Sequence, residues 1–480
     1  STLMVGATLP VQADIQQLID AGAFNELETQ AAIAALSTYD RLIENEGCFD
    51  SFSSDPGEGQ GSPCTGQTYI LFSNVREIIH TANELTNDGP TAESLGADLE
   101  GLGFALRWTA GEEYAAQGSL SSDFVGGQVS SVATRLTALR AGARGFSVIG
   151  VANSHDYNDG LATATGVLGS GASADGDYGR WGGFINYDFG NGDREATGLE
   201  DAFDFDNSQI TLGMDYRVND RWIVGMVLGI SEQELDFDGS QSIVEGGMEA
   251  EGTSLMPFVM YQQDSWFVST SLGLQQMTFD TERAIRYPAE FSSVNALTVS
   301  STDADMTSLF VETGYTFQKR KFAFEPFVNF KYSDINVDEF IEDDVNDDAF
   351  DLVVQSQNIN SLEYTLGAKI QYTFTPSFGV FIPYLTVEIV NQTDDAPRVV
   401  KAYYAQDSSG ETAFNVPTEA LDSSYFMVTY GVSSVIRGGR QSKAGGSVGG
   451  DIQAFINHRS LQGLEGYTSN LYSLGIRYTF

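Results

Sequence analysis

Apolar positions in this chain keep two different periods, and the switch between them divides it into two regions. As far as residue 145 they recur every three or four residues, the spacing that lines them up on one stripe of a helix. Leu27, Ile33, Leu36 and Ile43 form one stripe, Phe72, Val75, Ile79 and Leu85 a second, and Leu95, Leu99, Leu102 and Leu106 a third. Gly47, Gly66 and the Asp88-Gly89-Pro90 step fall between these runs as helix stop and start signals. A fourth run, Gln128 to Arg144, leads into a stretch from Gly145 to Gly179 that is rich in Gly, Ala and Ser and has no period, the composition of a linker.

After residue 180 the period becomes two and stays so to the end. Trp181, Gly183, Ile185, Tyr187 and Phe189 share one face of the first segment, against Gly182, Phe184, Asn186 and Asp188 on the other. Twelve such segments are predicted, near 181–189, 208–218, 221–236, 249–262, 265–278, 302–318, 321–335, 358–374, 377–391, 424–437, 447–460 and 469–480. Tight turns at Asn219-Asp220, Gln263-Asp264, Lys319-Arg320 and Thr375-Pro376 alternate with long acidic loops such as Asn191 to Asn207 and Asp338 to Asp351. An even number of strands with alternating short and long connections is the signature of a transmembrane barrel, with turns at the periplasmic end and loops outside.

The parity of the charges agrees with that reading, because a lipid-facing surface must be apolar while a lumen can hold charge. Phe322, Phe324, Pro326, Val328, Phe330 and Tyr332 share a face, and Glu325, Asn329 and Lys331 take the other. Glu363 and Lys369 keep to one side of the next segment and Glu388 to one side of the one after, and Glu312, Asp215, Arg217, Arg437, Asp451 and Arg477 obey the same rule. The expected lumen charges are therefore Glu312, Glu325, Lys331, Glu363, Lys369, Glu388, Asp451 and Arg477, with Trp181, Trp222 and Trp266 suited to an interfacial girdle. No run of eighteen apolar residues is present for a membrane-spanning helix. The expected fold is an all-β transmembrane barrel of twelve antiparallel strands over 180–480, preceded by a small all-α domain over 1–125 and by a plug helix and linker over 126–179.

Composition narrows the partners. With 24 basic and 66 acidic residues the net charge is −42, which excludes nucleic acid, whose phosphates need cations. Aromatics at 12% argue against disorder. Eight carboxylates between Asp338 and Asp351, with no Lys or Arg among them, would splay by repulsion unless counterions bind. No cofactor is expected beyond divalent cations at such loops, bridging to anionic lipopolysaccharide. Cys48 and Cys64 flank an acidic, Gly-rich loop and suit a disulfide in an oxidising compartment, free thiols being the alternative. The chain begins at Ser1 without a charged n-region, so a mature protein with its secretion signal removed is expected. The three histidines, His80, His155 and His458, come with no nucleophile-elbow pattern, and no enzymatic activity is expected.

The end of the chain, with Leu474, Ile476, Tyr478 and the terminal Phe480 alternating, resembles the signal by which outer-membrane barrels are recognised by the assembly machinery. Together with LTALRAGARG over 136–145, Tyr178-Gly-Arg-Trp-Gly-Gly-Phe, Met214-Asp-Tyr-Arg, Asp422-Ser-Ser-Tyr-Phe and Leu474-Gly-Ile-Arg-Tyr-Thr-Phe, it is similar to the autotransporter β-domain of type V secretion over roughly 128–480. The resemblance implies a twelve-stranded barrel in the outer membrane of a Gram-negative bacterium, a helix threading its pore and a preceding segment delivered to the cell surface. Here that helix is Gln128 to Arg144, whose Arg135, Arg140 and Arg144 stand without a single acid and are expected to meet lumen carboxylates. The alternative is a fourth helix of the N-terminal bundle. The N-terminal region is short and lacks β-helix repeats, and no Asn-Asn pair precedes the first strand, so the family's intra-barrel cleavage is not implied. Two functions follow as expectations: a barrel that anchors or exports a helical domain for surface contact or self-association as a homo-oligomer, or a channel with the helical domain as a periplasmic plug.

Overall fold

A computed structural model describes residues 15–49, 64–140, 180–237, 245–288, 293–376, 380–393, 397–407, 414–419, 423–437, 440–441, 447–448, 452–464 and 466–479. Twelve strands form a closed antiparallel ring: β1 Trp181–Arg194, β2 Phe203–Arg217, β3 Trp222–Phe237, β4 Glu245–Gln263, β5 Trp266–Pro288, β6 Ser293–Tyr315, β7 Phe322–Val337, β8 Gln357–Tyr372, β9 Val380–Gln392, β10 Ser424–Arg437, β11 Ile452–Gln462 and β12 Tyr467–Thr479. Each pairs with its neighbours in sequence, and β1 closes on β12 in a register that runs from Gly182 opposite Thr479 to Arg194 opposite Tyr467. Closure removes every sheet edge, as a bilayer without water requires.

One end of the barrel carries the turns at 218–221, 264–265 and 316–321 and the segment 373–376 that follows β8, and the other carries the long connections. At the turn end Trp181, Trp222 and Trp266 are exposed, with ring centroids 4.7 Å from Tyr216, 4.8 Å from Tyr261 and 5.7 Å from Tyr261 respectively. This is the aromatic girdle of a membrane interface.

On β2 and β3 the alternation of inward and outward side chains runs through, but its polarity inverts. On β3 the outward side chains Val224, Met226, Leu228 and Ile230 give way to Glu232, Glu234 and Asp236, while inward Ser231 and Gln233 give way to Leu235 and Phe237. On β2 the change falls at Asn207 and Ser208: Ile210, Leu212 and Met214 point out on the turn side, and Asp204 and Asp206 on the loop side, where Phe203 and Phe205 turn inward. Leu228 is 50% exposed and Ile230 64%, far more apolar surface than water tolerates as a continuous band. Below the line the barrel faces lipid and encloses a polar lumen; above it the same strands face water and enclose an apolar space. The sequence reading started β4 and β6 and ended β5 well short of their observed limits, because it followed apolar outward positions, and these cease where the lipid does.

The apolar space is filled by helices α1 Ile15–Asp20, α2 Glu26–Glu44, α3 Gln67–Thr86 and α4 Leu99–Thr109, a 3-10 turn at Glu112–Ala115, and the top of α5 Ala116–Arg140. Asn25 starts α2 with a capping box, its side chain accepting from Glu28 N at 2.8 Å while Glu28 accepts from Asn25 N at 2.9 Å. Asn87 ends α3 in the left-handed conformation, and Asp98 caps α4 by accepting from Gly101 N. A small sheet built from Phe340–Ile341, Leu352–Val354, Val399–Tyr404 and Phe414–Pro417, all in the long connections, lies against α2 and the 3-10 turn. Helix residues such as Leu27, Phe72 and Leu106, loop residues such as Phe340 and Phe414, and strand residues such as Leu235, Met248 and Phe279 belong to one continuous core.

Cys48 and Cys64 are joined as a disulfide that closes the α2–α3 connection, worth about 3 kcal/mol by loop-closure arithmetic. The helix expected from Gln128 begins at Ala116 and carries Gly126 and Gly127 within it.

The polarity line makes a measurable prediction. Leu228→Arg, below it, should cost about 2–4 kcal/mol in denaturant unfolding from lipid vesicles, whereas Glu234→Arg, on the same face of the same strand but above it, should stay within about 0.5 kcal/mol. Equal costs would remove this boundary.

Candidate functional site

The functional geometry of the described residues lies along α5, which enters the barrel at the loop end and runs toward the turns. Its sequence is mostly Gly, Ala, Ser and Thr, so it is slim, and a twelve-stranded barrel has room for little more than one such helix. The wall yields where they touch. A Cβ on Gly229 would lie 2.1 Å from Gln128 Oε1, and one on Gly252 would lie 2.8 Å from the Phe124 ring. Two interior glycines cost α5 about 1 kcal/mol each against alanine, a loss that packing inside the barrel offsets.

Polar side chains fix the depth of the helix. Ser254 donates to Gln128 Oε1 at 2.6 Å, and Ser131 donates to Asp188 at 2.9 Å while accepting from Gln209 at 3.0 Å. Arg135 pairs with Asp215 and lies 4.8 Å over the Phe184 ring. Arg140 donates to Glu312 at 2.7 Å and to Glu325 at 3.1 Å, with its guanidinium 3.8 Å over Phe267. Guanidinium forks suit such fixed, partly dry pairs, and removing one partner of a buried pair costs about 3–5 kcal/mol because the other charge is stranded.

Of the expected lumen charges, Glu312 and Glu325 are brought to the helix, whereas Lys331 pairs with Glu363 at 2.7 Å and Glu388 meets Arg459 at 3.5 Å. Lys369 lies over the Tyr384 ring at 4.5 Å. Arg144, Asp451 and Phe480 fall outside the described residues, and of Arg477 and Tyr478 only the backbone ladder is described. Leu474 and Ile476 face outward and are exposed on β12. His80 is buried on α3, where its Nδ1 accepts from Glu93 N at 3.4 Å, and His458 Nε2 lies 3.2 Å from Asn470 Oδ1.

A second set of residues, missed in the sequence, clasps the helices to the rim. Arg283 of β5, fully buried, donates to both oxygens of Glu342 at 2.7 and 2.6 Å and to Phe350 O at 3.0 Å. Glu342 also accepts from Tyr114 of the 3-10 turn, from Thr298 at 2.9 Å and from Leu352 N at 2.7 Å. The acidic loop is therefore gathered by a cation from the barrel wall rather than splayed, and among the described residues no three His, Cys, Asp or Glu converge as a metal site. Arg107 of α4 bridges Glu112 at 3.0 Å and Asp201 of the β1–β2 connection at 2.6 Å. Gln67 and Asn74 of α3 donate to Asp347 and to Asp348 O. The one available signal is Arg283 itself, the single cation at inward parity on β5.

Beside this clasp Glu113 is buried with no hydrogen-bonding side chain on either oxygen. Burial pushes its carboxyl up to about 7; Arg283 opposes that, and Glu342 and Asp201 add to it.

A family profile described as Autotransporter beta-domain matches residues 183–449. Among solved structures, the translocator domain of the autotransporter NalP from Neisseria meningitidis is similar at 11% identity and a TM-score of 0.46, over 64% of this chain and 90% of that one. The β domain of the Bordetella autotransporter Brka is similar at 13% identity and a TM-score of 0.41, over 62% and 99%. The transport unit of the autotransporter AIDA-I from Escherichia coli follows at 10% identity and a TM-score of 0.39, over 65% and 93%. No curated protein sequence matches the chain.

Because the folded state binds the Glu113 proton more tightly than the unfolded chain, docking of the helices is strongest below about pH 4.5 and weakens as pH rises toward about 7. The full effect is about 3 kcal/mol. Amide exchange of α4 and the 3-10 turn, corrected for intrinsic rates, should show protection falling between pH 5 and 8, and Glu113→Gln should abolish the fall. Unchanged pH dependence in that variant would refute the assignment.

Proposed function

The chain belongs to the autotransporter β-domain family, and from that premise we propose that its barrel anchors the N-terminal helices at the cell surface for contact or self-association. The barrel is of outer-membrane type and belongs to the Gram-negative outer membrane. The observation that carries the reading is the shared core: α1 to α4 close the apolar mouth formed by β2 to β7 at the end with the long connections. A segment merely passing through the pore would have no need of that core. An attached cap is favoured over a released passenger, because shedding the helices would bare Leu235, Phe279 and Ile335 to water. Recognition by the barrel-assembly machinery, contact with lipopolysaccharide and divalent cations at the outer loops belong to the same proposal.

Membrane-impermeant maleimide on intact cells tests it. With Glu100→Cys on α4 the label should attach without permeabilisation, whereas Lys319→Cys in the β6–β7 turn should react only after it. Both positions are exposed, so access is set by the membrane alone. The reverse pattern would put the helices in the periplasm and end this reading.

A further inference from the structure

We infer that the space beside α5 is a binding chamber for a small zwitterion, a compound carrying an ammonium and a carboxylate close together. The helix leans on β2 to β6 and leaves a cavity of about 540 Å³, lined mostly by β7 to β12 and also by residues of β1, β2, β3 and β6, well within the size of small-molecule sites. The face of α5 turned to it is mostly small, with Gly118, Ser122, Gly126, Ser130 and Ala133 spaced by about one turn each, and Asp123 and Val129 are its larger side chains.

The facing wall carries charge in a fixed order. Lys331 and Glu363 are direct cross-strand partners on β7 and β8, joined at 2.7 Å. Arg459 reaches from β11 across β10 to Glu388 on β9, at 3.5 Å. From β7 to β11 the order is therefore cation, anion, anion, cation, and Asp188, Arg194, Glu312, Arg398 and Glu419 line the rest of the cavity. Asp123, held by the Tyr467 hydroxyl at 2.6 Å, adds a third carboxylate from the helix. An ammonium group meets carboxylates at the centre, and a carboxylate on the same molecule reaches a flanking cation. Lys331 has three N–H donors, and Arg459 Nε is buried with no partner.

A second observation points to an occupant. Ser231 and Gln233 line the cavity, are only 5% and 4% exposed, and their Oγ and Oε1 have no hydrogen-bond partner among the described residues. Buried polar atoms left this way call for a polar guest. Single ions suit the wall less well, since each would satisfy one sign and compete with the existing pair for it.

Calorimetric titration of the full-length chain in detergent micelles with glycine and L-glutamine tests the inference, with acetate, methylammonium and acetamide as controls. The zwitterions should bind at least tenfold more tightly than any control. Glu363→Gln and Arg459→Gln should each weaken them about tenfold. Asn329→Trp, which puts bulk into the cavity without replacing a member of either ion pair, should abolish binding while the heat-induced gel shift of a folded barrel is retained. Zwitterions binding no better than methylammonium or acetate would overturn the proposal, and so would full affinity in Asn329→Trp.

Discussion

A strand that leaves lipid for water must exchange which of its faces is apolar, and the architecture depends on how this chain meets that demand. On β2 and β3 the exchange happens without a register slip: outward Ile210 and Ile230 are followed by Asp206 and Glu232, and inward Gln209 and Gln233 by Phe205 and Leu235. The consequence is an open cup of apolar side chains above the membrane, which water would destabilise. Something must fill it, and α1 to α4 with the small loop sheet do so. The helical region and the barrel therefore share one core and are coupled in stability.

Charge plays a different part at the two levels. In the lumen, Arg135 with Asp215 and Arg140 with Glu312 and Glu325 set the depth and rotation of α5, since each guanidinium would be stranded by a one-residue shift. Buried ion pairs of this kind contribute little net stability beyond that of an apolar replacement, and their value is in excluding other positions. At the rim, Arg283 and Glu342 tie wall, acidic loop and 3-10 turn together through five acceptances on one carboxylate. Glu113 beside them gives the clasp its sensitivity to pH.

A helix held along only one side of a barrel divides the lumen into a packed half and an open half. In the packed half, glycines on β3 and β4 let the helix approach. In the open half, small residues on the helix keep it clear of a wall of paired charges. The same slimness that lets α5 fit thus leaves space that none of the described residues fills.

Strand number, order, the alternation of turns and loops, and the inward parity of Glu312, Glu325 and Glu363 were legible in the sequence alone. They follow from local rules, a two-residue period and a lipid face that tolerates no charge, and each can be read within a few residues. The disulfide between Cys48 and Cys64 was also legible, for want of other partners. The true lengths of β4 to β6 were not, because beyond the lipid the outward positions turn acidic and look like loop. The start of α5 was hidden by Gly126 and Gly127, whose cost is offset only inside a barrel. The partner of Arg135, eighty residues away at Asp215, and that of Arg283, at Glu342 in the acidic loop, were decided by the tertiary structure. A side chain's parity names the face it takes, but which opposite charge waits on that face depends on how the closed ring is rotated about the helix, and no local pattern carries that information.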